Sequence, residues 1–132
     1  MRYLLDTNIV SDLVRNPQGR AAQRVVLVGD VNVCTSIIVA AELRYGAIKK
    51  GAPRLTNQLE AVLGVLEVLP LVHPVDREYG RLRARLESEG QPIGGNDLLI
   101  AAQSVVLGLT LVTDNEREFS RIAELPRENW LR

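Results

Sequence analysis

Short apolar runs alternate with longer amphipathic segments along this chain, and that alternation limits its fold more than any other feature. Tyr3-Leu4-Leu5, Val31 to Cys34, Val68 to Val72, Leu109 to Val112 and Trp130-Leu131 read as strands, the last being the shortest. Between them lie stretches with apolar residues at helical spacing. Ile9, Val10, Leu13 and Val14 share one face of a helix that ends near Asn16-Pro17, and Ala21 to Val28 continues as a second piece stopped at Gly29. Thr35 or Ser36 caps a helix running to about Lys50, where Gly51 and Pro53 break it. Leu55, Leu59, Val62, Leu63 and Leu66 mark another helix, and Tyr79, Leu82 and Leu86 give the next its core stripe before Gly90 ends it. The segment from Asn96 or Asp97 to Gly108 is apolar on nearly every side, as a central buried helix is, and Asn115 to Phe119 is a short helix. Pro70 cannot donate to a ladder, so its strand belongs at a sheet edge. Strands alternating with helices predict an α/β fold, a parallel sheet with both faces covered by helices.

The 132 residues suit one domain, expected to span positions 1–132. Aromatics are scarce, so the core is built from Leu, Val, Ile and Ala, which suits helices on a sheet. Sixteen basic and sixteen acidic residues cancel, so no global field draws the chain to a polyanion, and any nucleic-acid binding is local. Cys34 is the sole cysteine, which excludes an internal disulfide and a cysteine-based zinc site and fits a reducing compartment. Its apolar neighbours predict an inert thiol. Asp6 and Asp12 interrupt any signal-like apolar run, and no stretch approaches the ~18 apolar residues of a membrane span, so the cytoplasm is the expected location.

Four acids sit in costly places. In parallel α/β sheets ligands bind beyond the carboxyl ends of the strands. Asp6 directly follows the first strand and Asp114 follows the Leu109 to Val112 strand, so both belong on one rim. Asp97 lies in the first turn of the buried helix, where free N–H groups and the dipole favour an anion. Glu42 stands in the apolar run Ile37-Ile38-Val39-Ala40-Ala41-Glu42-Leu43, whose composition predicts burial. Each acid has a plain structural reading: Asp6 as a helix cap, Asp97 as a dipole partner, Asp114 as a turn residue, Glu42 as a solvated side chain. Lys and Arg are absent around Asp6 and Asp97, although Arg44 and Arg117 are near Glu42 and Asp114 in sequence. Four carboxylates on one rim call for a hard cation with oxygen ligands, Mg2+ or Mn2+. Such a site, with no nucleophilic Ser, Cys or His, points to phosphoryl chemistry. The lone His73, beside Pro74, reads as a surface histidine.

The blocks LLDTNIVSDLVR, TSIIVAAELRYGAIKK, PIGGNDLLIAAQ and LVTDNEREFSRI with a final ENWL resemble PIN-domain ribonucleases, specifically VapC-type toxins of bacterial toxin–antitoxin pairs. The resemblance spans essentially the whole chain. It implies a PIN-like sandwich of helices around a parallel sheet and an Mg2+- or Mn2+-dependent endoribonuclease acting on cellular RNA. Carried across, Asp6, Glu42, Asp97 and Asp114 form the acidic quartet, with Asp6 and Asp97 as direct metal ligands and the other two binding directly or through water. Asn8, Ser36, Asn96, Thr113 and Asn115 are then polar groups behind the ligands or facing substrate. The resemblance further implies a VapB-like antitoxin that holds the toxin inactive, contact with DNA only through that antitoxin, and a homodimer. Gly94-Gly95 departs from relatives that often carry a larger second residue, which loosens the loop presenting Asp97, and Gln103 stands where a histidine is common.

Arg77, Arg81 and Arg85 recur at four-residue spacing and form a stripe that either tracks RNA phosphates or is an ordinary solvated face. Lys49, Lys50 and Arg54 form a second basic cluster near a helix end. Few exposed aromatics are expected, which favours a folded, tRNA- or rRNA-like RNA recognised by shape over single strands held by stacking. Two other readings compete: a receiver-like phosphoacceptor domain, opposed by the missing lysine after the last strands, and a catalytically silent metal-binding partner of an antitoxin.

Overall fold

The structure is a computed structural model and describes residues 2–132. Its elements run β1 (Tyr3–Leu5), α1 (Thr7–Arg15), α2 (Arg20–Val28), β2 (Val33–Ser36), α3 (Ile37–Lys50), α4 (Pro53–Val65), β3 (Glu67–Leu69), α5 (Val75–Ser88), α6 (Gly95–Leu107), β4 (Thr110–Val112), α7 (Glu116–Phe119) and β5 (Arg127–Glu128). The strands form one sheet in the order β3-β2-β1-β4-β5. Every pairing is parallel. From β1 the chain steps to β2 and β3, then returns past β1 to β4. Because parallel crossovers are right-handed, that reversal puts α1 to α4 on one face and α5 with α6 on the other. It also opens a crevice between the carboxyl ends of β1 and β4.

The register decides which residues meet there. Leu5 lies opposite Thr35 on one side and Val112 on the other, so Asp6, Ser36 and Thr113 follow in one row at the carboxyl edge. The Asp6 N–H donates to the Val112 carbonyl at 2.9 Å and extends the ladder one step. Leu4, Leu5, Leu111 and Val112 are fully buried, as strands covered on both faces must be.

Several expected boundaries shift. The second strand begins at Val33 rather than Val31, because Asp30–Asn32 closes a 3-10 turn held by Asn32 Nδ2 donating to the Val28 carbonyl at 2.8 Å, leaving Val31 80% exposed. The Pro70 strand is at the sheet edge as expected, but stops at Leu69, where the missing N–H ends it. Pro53 opens α4 at its first turn, while Gly51, at φ 67°, supplies the left-handed residue that closes α3. The last strand is Arg127–Glu128, not Trp130-Leu131: an edge strand needs only backbone pairing, and Trp130 instead buries its ring 5.1 Å from that of Tyr3. Cys34 is buried, its thiol donates to the Tyr3 carbonyl at 3.4 Å, and burial pushes its pKa up to about 11, which makes it inert.

The buried helix α6 is the core's main strut. Leu98, Ile100, Ala101, Ala102, Gln103 and Ser104 are all buried along it, and Gly108 at φ 66° closes it. Gln103 donates through Nε2 to the carbonyls of Leu69 (3.3 Å) and Pro70 (3.1 Å), tying α6 to the end of β3. Gly95 is the first residue of α6, with an ordinary backbone and open space where a Cβ would stand. Ile100→Ala is expected to cost about 2–5 kcal/mol by opening a cavity beneath α6, read as a lower urea midpoint at unchanged slope.

Candidate active site

Asp6 ends the central strand and begins α1, and it is only 3% exposed. One carboxylate oxygen accepts the Thr7 N–H at 2.8 Å, and the other accepts the Thr113 hydroxyl at 2.7 Å. It is therefore a helix cap, and also the bridge across the β1–β4 crevice. Burial raises its pKa, against the lowering effect of the two hydrogen bonds, and the nearby charge of Glu42 adds to the rise.

Three further carboxylates answer it. Asp97, in the first turn of α6, has its pKa pushed up to about 7, chiefly by burial, then by Asp6, by a hydrogen bond to Glu118 and its charge, and by Glu42. Glu42 is half-buried, not deeply buried as its apolar neighbours suggest, because Ile37 and Ala41 on the same run face solvent. The Thr7 hydroxyl donates to its Oε1 at 2.8 Å. Glu118, on α7, shares Asn115 with Asp97: Asn115 Nδ2 lies 3.1 Å from Glu118 Oε2 and 3.4 Å from Asp97 Oδ2. Among the described residues none of these four acids forms an ion pair. Arg44, the nearest cation in sequence to Glu42, is instead held by Glu60 at 2.8 and 2.9 Å.

Asp114 occupies the same rim but turns outward. Its carboxylate accepts from Asn129 Nδ2 at 2.9 Å and lies 3.7 Å from Arg132, and its own N–H donates to Asn8 Oδ1 at 3.2 Å. Thr113 Oγ1, besides donating to Asp6, accepts the Asn115 N–H at 2.9 Å, so one hydroxyl links β4 to both sides of the site. Ser36 is buried and caps α3 by accepting the Ile38 N–H at 3.1 Å. Asn96 is exposed beside Asp97. The sequence does not disclose Glu118 as a site residue, and it marks Thr7 only as a polar group beside Asp6, not as the partner of Glu42. Glu118 sits in a polar stretch where an acid looks ordinary, and only the turn of α7 brings it to Asp97; Thr7 was visible in LLDTN, but its partner lies 35 positions away.

The donor set is all oxygen and has no ion-pair partner among the described residues, and two of its carboxylates are raised by burial and then by neighbouring acids, which is the environment a hard dication relieves. Among the described residues no three His, Cys, Asp or Glu side chains stand together as a ready-made cage. The Arg stripe on α5 is largely spent on the fold. Arg85 pairs bidentately with Glu124 at 2.8 Å, and Arg81 pairs with both Glu124 and Glu78, so of the three only Arg77 makes no ion pair among the described residues. His73 is exposed, 3.4 Å from Asp76.

Residues 3–125 match the PIN domain family. The chain belongs to that family. It is 39% identical to ribonuclease VapC2 of Rickettsia felis, each chain covered to 98%, and 33% identical to the tRNA(fMet)-specific endonuclease VapC of Shigella flexneri, again with 98% of each covered. Its fold superimposes at a TM-score of 0.91, with 38% identity over 98% of this chain and 99% of the other, on a crystal structure of VapBC2 from Rickettsia felis bound to a DNA fragment from their promoter. The chain is thus a VapC-type PIN domain, and the receiver-like reading is set aside. PIN-domain nucleases as a class depend on divalent metal ions. No helix of this VapC-type chain, among the described residues, is long and apolar enough to cross a membrane.

The raised Asp97 makes metal-free stability depend on pH. Its folded value of about 7 lies above the ordinary 3.8, so the fold takes up a proton, and its stability falls as pH rises between those values. With a chelator present, wild-type protein should melt lower at about pH 8 than at about pH 5, and Asp97→Asn should remove most of that difference, at roughly 4 °C per kcal/mol of relieved repulsion. An equal pH slope in the variant would contradict the assignment.

Proposed function

We propose that this chain, as a single PIN domain over 1–132, is the endoribonuclease toxin of a toxin–antitoxin pair and cleaves structured, tRNA- or rRNA-like cellular RNA to block translation. One observation carries the reading: Asp6, Glu42, Asp97 and Glu118 converge at the β1–β4 switch point, and none of them forms an ion pair among the described residues. The whole-chain likeness to VapC ribonucleases supports the same chemistry. A tRNA endonuclease among those relatives favours a folded RNA.

Asp6 and Asp97 would hold Mg2+ or Mn2+ directly, with Glu42 and Glu118 binding directly or through water and Asp114 at the outer edge of the site. When bound, such an ion stabilises charge on the phosphodiester oxygens and makes a water more acidic. The chain's own groups prepare the site. Thr113 fixes the Asp6 carboxylate across the crevice, Thr7 orients Glu42, and Asn115 holds Asp97 and Glu118 side by side. Asn8 sets the backbone at Asp114, Ser36 anchors the start of α3, and the exposed Asn96 faces the substrate side.

The partner is a VapB-like antitoxin, in line with the solved complexes this chain resembles, and DNA is contacted only through it. A homodimer is the expected assembly. Ile37, Tyr45 and Ile48, exposed along one face of α3, supply an apolar surface for it. The cytoplasm, where RNA and a free thiol such as Cys34 coexist, is the proposed location.

Purified protein with Mn2+ or Mg2+ should cut bulk cellular RNA, and Asp6→Asn should lower kcat by at least about 10^2-fold with little change in melting temperature, since the amide oxygen still caps α1. Full activity in Asp6→Asn, or none in wild type with either ion, would overturn the reading; the latter would leave a catalytically silent antitoxin partner. Thr113→Val, which keeps every carboxylate but frees Asp6, should reduce activity about 10- to 100-fold and weaken apparent Mn2+ affinity. A gel-based cleavage assay titrated with Mn2+ measures both effects.

A further inference from the structure

Two of the three arginines in the α5 stripe, Arg81 and Arg85, are occupied, yet an RNA substrate needs cations somewhere on a chain of zero net charge. Two adjoining hollows supply them. The first, of about 490 Å3, lies at the α1–α2 connection and is lined in part by Arg15, Arg20 and Leu131. The second, of about 650 Å3, continues from Arg20 along α2 past Arg24 to Asn129 and Arg132. Asn129 and Arg132 are also the two residues that reach Asp114, so the trough ends on the acidic rim.

The charges in this trough are poorly answered from within the protein. Arg15 and Arg20 are exposed and, among the described residues, make no ion pair. Asp12 also lines the first hollow, but it accepts from Asn16 Nδ2 at 2.7 Å and pairs with neither arginine. Arg20 and Arg24 are four residues apart on α2, a like-charge pair that costs helix stability, and Glu128 answers only Arg24, at 3.1 Å. Arg20 also stands in the first turn of α2, where the dipole disfavours a cation. A fold indifferent to charge here would gain by an acid at that position.

We propose that the α1–α2 trough binds the phosphate backbone of the RNA flanking the scissile bond, with Arg15 and Arg20 as its principal contacts, and feeds the strand to the acidic rim at Asp114. This rests on the ribonuclease reading above. An acidic peptide would satisfy the same guanidiniums, but the trough leads onto the phosphodiester-cutting rim, so a polyanion with its own phosphodiesters fits its whole length.

The test compares wild type, Arg15→Gln/Arg20→Glu and Arg15→Lys/Arg20→Lys. Glutamate at the first turn of α2 suits the dipole, so the double variant should fold at least as well as wild type. Binding is measured to bulk transfer RNA in an Asp97→Asn background across a salt series, and turnover of bis(p-nitrophenyl) phosphate with Mn2+ in the Asp97 background. The Gln/Glu variant should bind transfer RNA at least about tenfold more weakly at moderate salt, with the slope of log K against log salt reduced by roughly 1.5–2, while the lysine variant keeps the slope. Turnover of the small diester should be unchanged in both. Unchanged affinity and slope in the Gln/Glu variant, or a slope lost equally in the lysine variant, would overturn the proposal. Competition by poly-glutamate on wild type alone, with transfer-RNA binding unaffected by the substitutions, would assign the trough to an acidic peptide and overturn it too. If wild type turns over neither RNA nor the small diester, the ribonuclease reading fails, while the binding series still decides whether the trough holds RNA.

Discussion

The hydrogen bond from Thr113 to Asp6, 2.7 Å long and buried, joins the carboxyl ends of β1 and β4 where the strand order reverses. A carboxylate so placed is costly unless its oxygens are satisfied. Here both are, one by Thr113 and one by the N–H at the start of α1. The arrangement holds only if β1 and β4 pair in the observed register, since a one-residue slip would turn Asp6 and Thr113 to opposite faces. The site's geometry and the sheet's register are thus one constraint.

That constraint is accompanied by a segregation of charge. Glutamates and arginines on the outer helices neutralise each other, as Arg44 does with Glu60, and Arg81 and Arg85 with Glu124. Exposed pairs of this kind contribute little stability, but they hold their cations away from the four inner acids, and on the rim only the outward-turned Asp114 has an ion-pair partner, Arg132, among the described residues. Asp6, Glu42, Asp97 and Glu118 therefore have no ion-pair partner among the described residues, and the raised values of Asp6 and Asp97 express burial first and the neighbouring acids second. Stability is given up locally for a site able to receive a dication, the usual exchange where a fold carries function. Arg15 and Arg20, at the α1–α2 connection, are among the arginines that make no ion pair among the described residues.

Much of this was legible in the amino-acid order, and for identifiable reasons. The α6 segment is apolar all round, so its burial followed from composition, and its first turn marked Asp97. Asp6 is conspicuous because it directly follows an apolar strand. Pro70 announced an edge strand because it lacks an N–H. The final strand was misplaced because an edge pairing such as Arg127–Glu128 needs no apolar side chain, whereas the apolar Trp130 beside it serves packing. Glu42 looked deeply buried because an apolar run does not say which of its faces the core will take.

By itself the sequence determined the alternation of strand and helix, the edge position of the Pro70 strand, the buried strut and the presence of acids at strand and helix ends, all properties of local pattern and backbone chemistry. Only the tertiary structure decided which acids meet. It brought Glu118 to Asp97 through the turn of α7, gave Glu42 to Thr7, and turned Asp114 towards Asn129 and Arg132. It also spent three of the four α5 arginines, Arg81, Arg83 and Arg85, on glutamates. Contacts between residues far apart in the chain depend on register and crossover direction, which no local pattern encodes.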